Sequence, residues 1–211
     1  MPPTALAPIS LAPRVVVFDY GEVISREPTP DDRAALLARA GVSAEPFWGA
    51  YWAHRADLDQ GAASIAEYWR RVGDDVGADW SALDVHELWA IDHRGWLSLD
   101  PGTLAVLHAL GEGGTRLALL SNAGADFSGW LRSGSFGPLF DRVFVSGELG
   151  LVKPGAAIYE HVIGELGILP GEFLFVDNRS ENVEGAIAVG GDGHVFTDAA
   201  SLESWLRGLA R

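Results

Sequence analysis

The feature that most constrains this chain is a regular alternation between short apolar runs and stretches of helical periodicity. Runs rich in β-branched or aromatic residues lie at 14–18, 116–120, 142–145, 173–176 and 194–196. Strands that short and that apolar, with helical stretches between them, predict a parallel sheet buried on both faces. The expected fold is therefore α/β, a Rossmann-like doubly wound parallel sheet. Helix punctuation agrees. Asp100-Pro101 supplies an N-cap followed by proline at the first helical position. The stretch 157–166 stops at Gly167, and Leu202, Trp205, Leu206 and Leu209 form a last amphipathic stripe.

One segment breaks the alternation. Between the first apolar run and Trp96 only helix patterns occur. Thr29-Pro30-Asp31-Asp32 opens one that ends at Gly41, and a second runs over about 46–58. Ser64-Ile65-Ala66-Glu67 has the form of a capping box and opens a third, and residues 81–90 give a fourth. This reads as a helical cap at 26–95 inserted into a core formed by 1–25 and 96–211. Six of the eight tryptophans (48, 52, 69, 80, 89 and 96) fall in the insert or at its edge. Most should be anchors of its own small core. His54 and Arg55, polar at the edge of the stripe Phe47, Trp48, Tyr51 and Trp52, are the candidates for facing a site, although exposure to solvent is the ordinary fate of such residues.

Composition narrows the partners. A net charge of -14 argues against nucleic acid, whose binding rests on Lys and Arg. With no cysteine, disulfides and thiolate metal sites are excluded, and a reducing cytoplasm fits. No apolar run is long enough to span a bilayer, so no membrane association is expected. Pro2, Pro3, Pro8 and Pro13 interrupt the N-terminus, which reads as a loose tail rather than a signal peptide.

Four short signatures fall at the carboxyl ends of predicted strands, where ligands bind in open parallel sheets. The first is 15–23, Val-Val-Val-Phe-Asp-Tyr-Gly-Glu-Val. Its Asp19 is suited to nucleophilic attack or metal binding, and equally to a turn with Gly21. The second, Ser121-Asn122, could cradle an anion or simply cap a helix. The third is Lys153-Pro154, which could deliver a positive charge to the crevice. The fourth is Asp177-Asn178, followed by Glu181, Asn182, Gly185 and Ala186. A second acidic residue there would make a cation site with Asp19, or cap a helix.

In this order and spacing, with the phrase Gly-Leu-Val-Lys-Pro at 150–154 followed by Ile158-Tyr159, the chain resembles the haloacid dehalogenase-like (HAD) superfamily. The resemblance is to the subgroup with a helical cap after the first strand, and covers nearly the whole length. It implies a phosphatase of a small phosphorylated metabolite in which Asp19 forms an aspartyl-phosphate. Ser121, Asn122 and Lys153 would bind or frame the phosphoryl group. Mg2+ would be held by Asp19, the Gly21 carbonyl and the pair Asp177 and Asn178.

Two departures stand out. The resemblance calls for a second aspartate, the general acid-base, where this chain has Gly21, and Glu22 beside it is expected to face away. Asp-x-Gly-x-Val resembles the sugar-phosphate branch. Asn178 stands where relatives carry a second aspartate, which would weaken a magnesium site. Two alternatives remain. One is a metal-independent 2-haloacid dehalogenase, opposed by the carboxylate at Asp177; the other is a member that binds a phosphorylated ligand without turnover.

Overall fold

The computed structural model describes residues 6–210. Its strands β1 (Val15–Phe18), β2 (Arg116–Ser121), β3 (Arg142–Val145), β4 (Phe173–Asp177) and β5 (Asp192–Val195) form one sheet of order β3-β2-β1-β4-β5. Every neighbouring pair is parallel. Side chains alternate across the pleat. Val16, Phe18, Leu117, Leu119, Leu174 and Val176 feed one apolar cluster, and Val15, Val17, Ala118, Leu120, Phe173 and Phe175 feed the other. Strands β1, β2 and β4 are therefore apolar on both sides, which is why these segments read as continuous hydrophobic runs, whereas edge strand β5 is exposed or half-buried.

Between β1 and β2 the chain forms α1 (Pro30–Ala40), α2 (Ala44–Ala53), α3 (Arg55–Asp59), α4 (Ile65–Val76) and α5 (Ala82–Gly95). Capping boxes at Thr29, Ser64 and Ser81 start α1, α4 and α5, and left-handed Gly41 and Gly77 end α1 and α4. These helices bury a core of their own, with Phe47, Tyr68, Trp69 and Leu88 at 1% exposure or less. Burying Phe47 and Leu88 contributes roughly 1.5–3 kcal/mol each. Where the chain enters and leaves this region, Ser25 bridges Leu99, Arg26 N donates to Ser98 O and Asp100 N donates to Ile24 O. Core helices follow: α6 (Pro101–Glu112), α7 (Ser128–Ser133), α8 (Ser146–Leu149), α9 (Ala156–Leu166), α10 (Ser180–Ala188) and α11 (Ala199–Leu209). Side chains of α6 and α11 pack on one sheet face and those of α9 on the other.

Three local expectations need correction. The helix expected over 46–58 is two, because His54 at φ -99° and ψ -4° turns the chain so that Leu58 enters the insert's core and α3 meets α8. Neither Gly nor Pro marks that break. The last strand starts at Asp192 rather than His194. The N-terminal segment from residue 6 is no loose tail: Ile9 and Leu11 are buried, Ile9 N donates to Ala109 O, and Leu11 N donates to Thr115 Oγ1. Pro2 and Pro3 lie outside the described residues. Among the described residues no helix is long and apolar enough to cross a membrane.

Candidate active site

The sheet order makes β1 the switch point, since the chain runs from β1 out to β3 on one side and then crosses to β4 on the other. Loops diverge there and leave a crevice beyond the strands' carboxyl ends. Register does the rest. Phe18 pairs with Val176, so the next residues, Asp19 and Asp177, stand side by side at the strands' carboxyl ends, and Asp19 N donates to Val176 O at 2.8 Å. Ser121 ends β2 on the opposite flank.

Two adjacent buried carboxylates repel unless a cation separates them. Lys153 supplies it. Its Nζ donates to Asp19 Oδ1 and to Asp177 Oδ2, both at 2.7 Å, with the side chain 1% exposed. Asn122 fixes the backbone that carries this lysine, accepting from Lys153 N and donating to Lys153 O, each at 3.0 Å. Burial pushes the Asp19 carboxyl up; Lys153 opposes this, Asp177 adds to it, and the result is about 6. Burial alone would lower the ammonium of Lys153, but the two carboxylates outweigh it and hold the group above its ordinary value.

The second aspartate is saturated. Asp177 Oδ1 accepts from Arg179 N at 2.9 Å, and Asn182 Nδ2 donates to both of its oxygens at 3.1 and 3.0 Å. With Lys153 on Oδ2, it faces the protein, and it is absent from the lining of the cavity that holds Asp19, Gly21, Ser121, Asn122, Lys153 and Asn178. Asn182, to which the sequence assigned no task, orients Asp177 from the first turn of α10. The sequence offered only the short interval between the two residues as a hint.

Position 21 is open. A β-carbon built on Gly21 would lie 3.8 Å from Trp96 Cζ3 and 4.0 Å from Asp19 Oδ2, ordinary contacts, and its φ is not left-handed. The strained neighbour is Glu22, whose φ of 59° is unusual for a residue with a side chain. Contrary to expectation Glu22 does not face away. It lines the cavity and accepts from Asn178 Nδ2 at 3.0 Å. That bond leaves the Asn178 amide oxygen unspent.

The helical insert forms the opposite wall of this cavity of about 220 Å³. Arg55 is largely buried there, donating through Nε to Asp59 at 3.0 Å and through Nη1 to Tyr51 Oη at 2.9 Å and Asp92 at 3.3 Å. His54, its expected companion, instead pairs with Asp75 at 2.8 Å. Trp48, Trp69, Trp80 and Trp89 pack in or against the insert's core, as anchors, whereas Trp52 is 58% exposed and borders the cavity. Insert and core also meet at Asp126, which accepts from Trp89 Nε1 at 2.8 Å. His93 Nε2 lies 2.9 Å from the same oxygen, off the line of a good hydrogen bond. Burial pushes the Asp126 carboxyl up, but His93 and Trp89 outweigh it and hold it below its ordinary value. Asp59, Asp92 and Asp126 lacked any local signal in the sequence; only the packing of the insert on the core collects them.

A family model described as haloacid dehalogenase-like hydrolase matches residues 13–190. The sesquiterpene phosphatase of Aspergillus oryzae is 26% identical over 200 residues, covering 93% of this chain and 96% of that protein. The D-ribitol-5-phosphate phosphatase of Bacteroides thetaiotaomicron is 26% identical over 180 residues, covering 80% and 84%. In structure the chain is similar to a Bacteroides thetaiotaomicron enzyme of that family in complex with magnesium and inorganic phosphate. The TM-score is 0.71 at 19% identity, covering 87% of this chain and 94% of that one.

Proposed function

Because this chain belongs to the haloacid dehalogenase-like hydrolases, we propose that it hydrolyses the phosphate monoester of a small metabolite through an aspartyl-phosphate on Asp19. The observation that carries this reading is the single buried lysine bridging Asp19 and Asp177. It holds one carboxylate in the ionised form beside a cavity and occupies only one of its oxygens, Oδ1. The other is available to attack phosphorus.

In this mechanism Asp19 displaces the leaving group: a bond forms from its oxygen to phosphorus as the bond to the leaving oxygen breaks, and the departing alkoxide takes a proton from water because position 21 carries no acid. Ser121 and the loop at Asn122 bind the phosphoryl oxygens, and Lys153 stabilises the charge that develops on them. Water then cleaves the acyl phosphate, which releases inorganic phosphate and restores the Asp19 carboxylate. Asp177 and Asn182 position Lys153, and Asn122 holds its backbone. The segment 26–95 acts as the cap over this site.

The donor set also suits a hard cation. Asp19, the Gly21 carbonyl and the unspent amide oxygen of Asn178 are oxygen donors of the kind Mg2+ prefers, whereas Asp177 is already saturated. Among the described residues no group of three or more His, Cys, Asp or Glu could hold a metal, so such a site would draw on carbonyl and amide oxygens. When bound, the ion would neutralise phosphoryl oxygens and ease the approach of one anion to another.

That two relatives similar over most of the chain, the sesquiterpene phosphatase and the D-ribitol-5-phosphate phosphatase, are named as phosphatases supports this reading. The lack of a second aspartate at Gly21 is shared with the 2-haloacid dehalogenase alternative, in which Asp19 would attack carbon without a metal. The test is phosphate release from a panel of phosphorylated metabolites by wild type and Asp19→Asn, each with magnesium or chelator. Wild type with magnesium should be active and the variant should lose several orders of magnitude. Halide release from 2-haloacids in chelator, with no phosphate release, would transfer the assignment to the dehalogenase reading.

A further inference from the structure

Resting on the phosphatase reading, we propose that the insert's wall selects phosphate monoesters of compact apolar alcohols that carry no second anionic group. The argument begins with where the cations are. Lys153 is committed to Asp19 and Asp177 at the phosphoryl end. On the insert's wall the fixed cation is Arg55, and it faces two carboxylates, Asp59 and Asp92, at 3.0 and 3.3 Å. All three side chains are at most 20% exposed, so the pairing is sheltered from water and the cluster keeps a formal charge of minus one. Asp126 adds a third carboxylate where the insert meets the core, beside His93. At the mouth, Arg179 sits 3.9 Å from Glu181 with its side chain 69% exposed, where solvent screens it.

A second phosphate or carboxylate on the substrate would therefore be desolvated against like charges, with the buried guanidinium already spent. An apolar body meets a different surface. Leu58, Ile65 and Trp96 line the cavity, and the indole of Trp52 lies 58% exposed at its border, a large apolar face that a ligand could cover. The volume of about 220 Å³ falls below the range usual for drug-sized ligands, about 300–1,000 Å³. A body of one ring fits better than a long chain.

Three esters that share a primary benzylic leaving oxygen and differ in a remote para substituent test the inference, the two charged ones being similar in size: benzyl phosphate, 4-carboxybenzyl phosphate and 4-(aminomethyl)benzyl phosphate. Their kcat/KM is measured with the wild-type enzyme, and their affinity is measured by calorimetry on Asp19→Asn protein. The carboxylate should lower both quantities by about ten-fold or more, and by less at high salt. The ammonium ester should be at least as good as the neutral one. Asp92→Asn should shrink the carboxylate penalty at least three-fold, and Asp126→Asn serves if the first variant does not fold. Equal affinity for all three esters, or no binding of benzyl phosphate at millimolar concentration, overturns the inference. If none is turned over, the hydrolase reading fails separately, because the affinities still decide the charge rule.

Discussion

Gly21→Asp would supply the acid-base group that the family resemblance calls for at this position, and the structure lets its effect be worked out in parts. Sterically the change is cheap. The new β-carbon meets Trp96 and Asp19 at 3.8 and 4.0 Å, and the backbone is not left-handed. Replacing glycine also removes freedom from the unfolded chain, a gain of about 0.4–1 kcal/mol. Electrostatics opposes it. Two carboxylates about 5 Å apart at an effective dielectric of about 20 repel by roughly 3 kcal/mol, or two pKa units. Asp19 already stands at about 6, so a rise of roughly two units would leave about a tenth of it ionised at pH 7 before any cation neutralises the pair. Against that ten-fold loss stands general acid-base catalysis, typically about 10²–10⁴-fold. The net expectation is a gain of about ten-fold on an alkyl phosphate, whose leaving group needs a proton, and a loss of up to about ten-fold on an aryl phosphate, whose leaving group does not. The assay is kcat/KM on both esters with saturating magnesium, after circular dichroism shows that the variant folds. An unchanged alkyl-to-aryl ratio in the folded variant would refute the reasoning. Glu22, which lines the same cavity, would then be the residue to replace.

The raised Asp19 pKa has two consequences, the first read from turnover with magnesium present and the second from stability in chelator. Turnover should fall as pH drops below about 6, because attack needs the carboxylate. The stability contributed by the protonated group should be present below its unfolded value of about 3.9 and lost as pH rises through about 6. Asp19→Asn lacks that slope, so urea denaturation should show the variant gaining on wild type between those pH values, by roughly 3 kcal/mol before the lost partner of Lys153 is counted; parallel curves would count against it. Lys153→Met leaves Asp19 and Asp177 adjacent, buried and uncompensated, and should cost about 3–5 kcal/mol in denaturant unfolding at neutral pH. A loss under about 1 kcal/mol would mean that the lysine is not what separates them. Gly61→Ala should loosen the insert from the core, since the position has a φ of 77° and its β-carbon would lie 2.3 Å from the Gly147 carbonyl oxygen. Hydrogen exchange should rise across residues 44–76 and stay unchanged in β1 and β4, and KM should increase; unaltered exchange would show that this contact does not hold the insert down.

The sequence alone determined the layers of this protein. Runs buried on both faces can only be strands of a covered parallel sheet, and the capping boxes at Thr29, Ser64 and Ser81 set helix starts through bonds spanning three residues. The candidate residues Asp19, Ser121, Asn122, Lys153 and Asn178 were also legible, because all but Lys153 sit at a strand end or its following loop and Lys153 stands in the connection before α9, and they line one cavity. What the sequence left open depends on groups that meet only in the folded chain. The break at His54 has no local marker and is decided by where Leu58 and α3 pack. The division of labour between Asp177 and Asn178 turns on Lys153, Arg179 and Asn182 saturating the first while Glu22 takes only the amide hydrogens of the second. The acidic wall joins Arg55, Asp59 and Asp92 with Asp126, residues from α3, α5 and a core loop. Capping and pleat alternation act between near neighbours in the chain, whereas charge compensation acts through space, and only tertiary packing sets those distances.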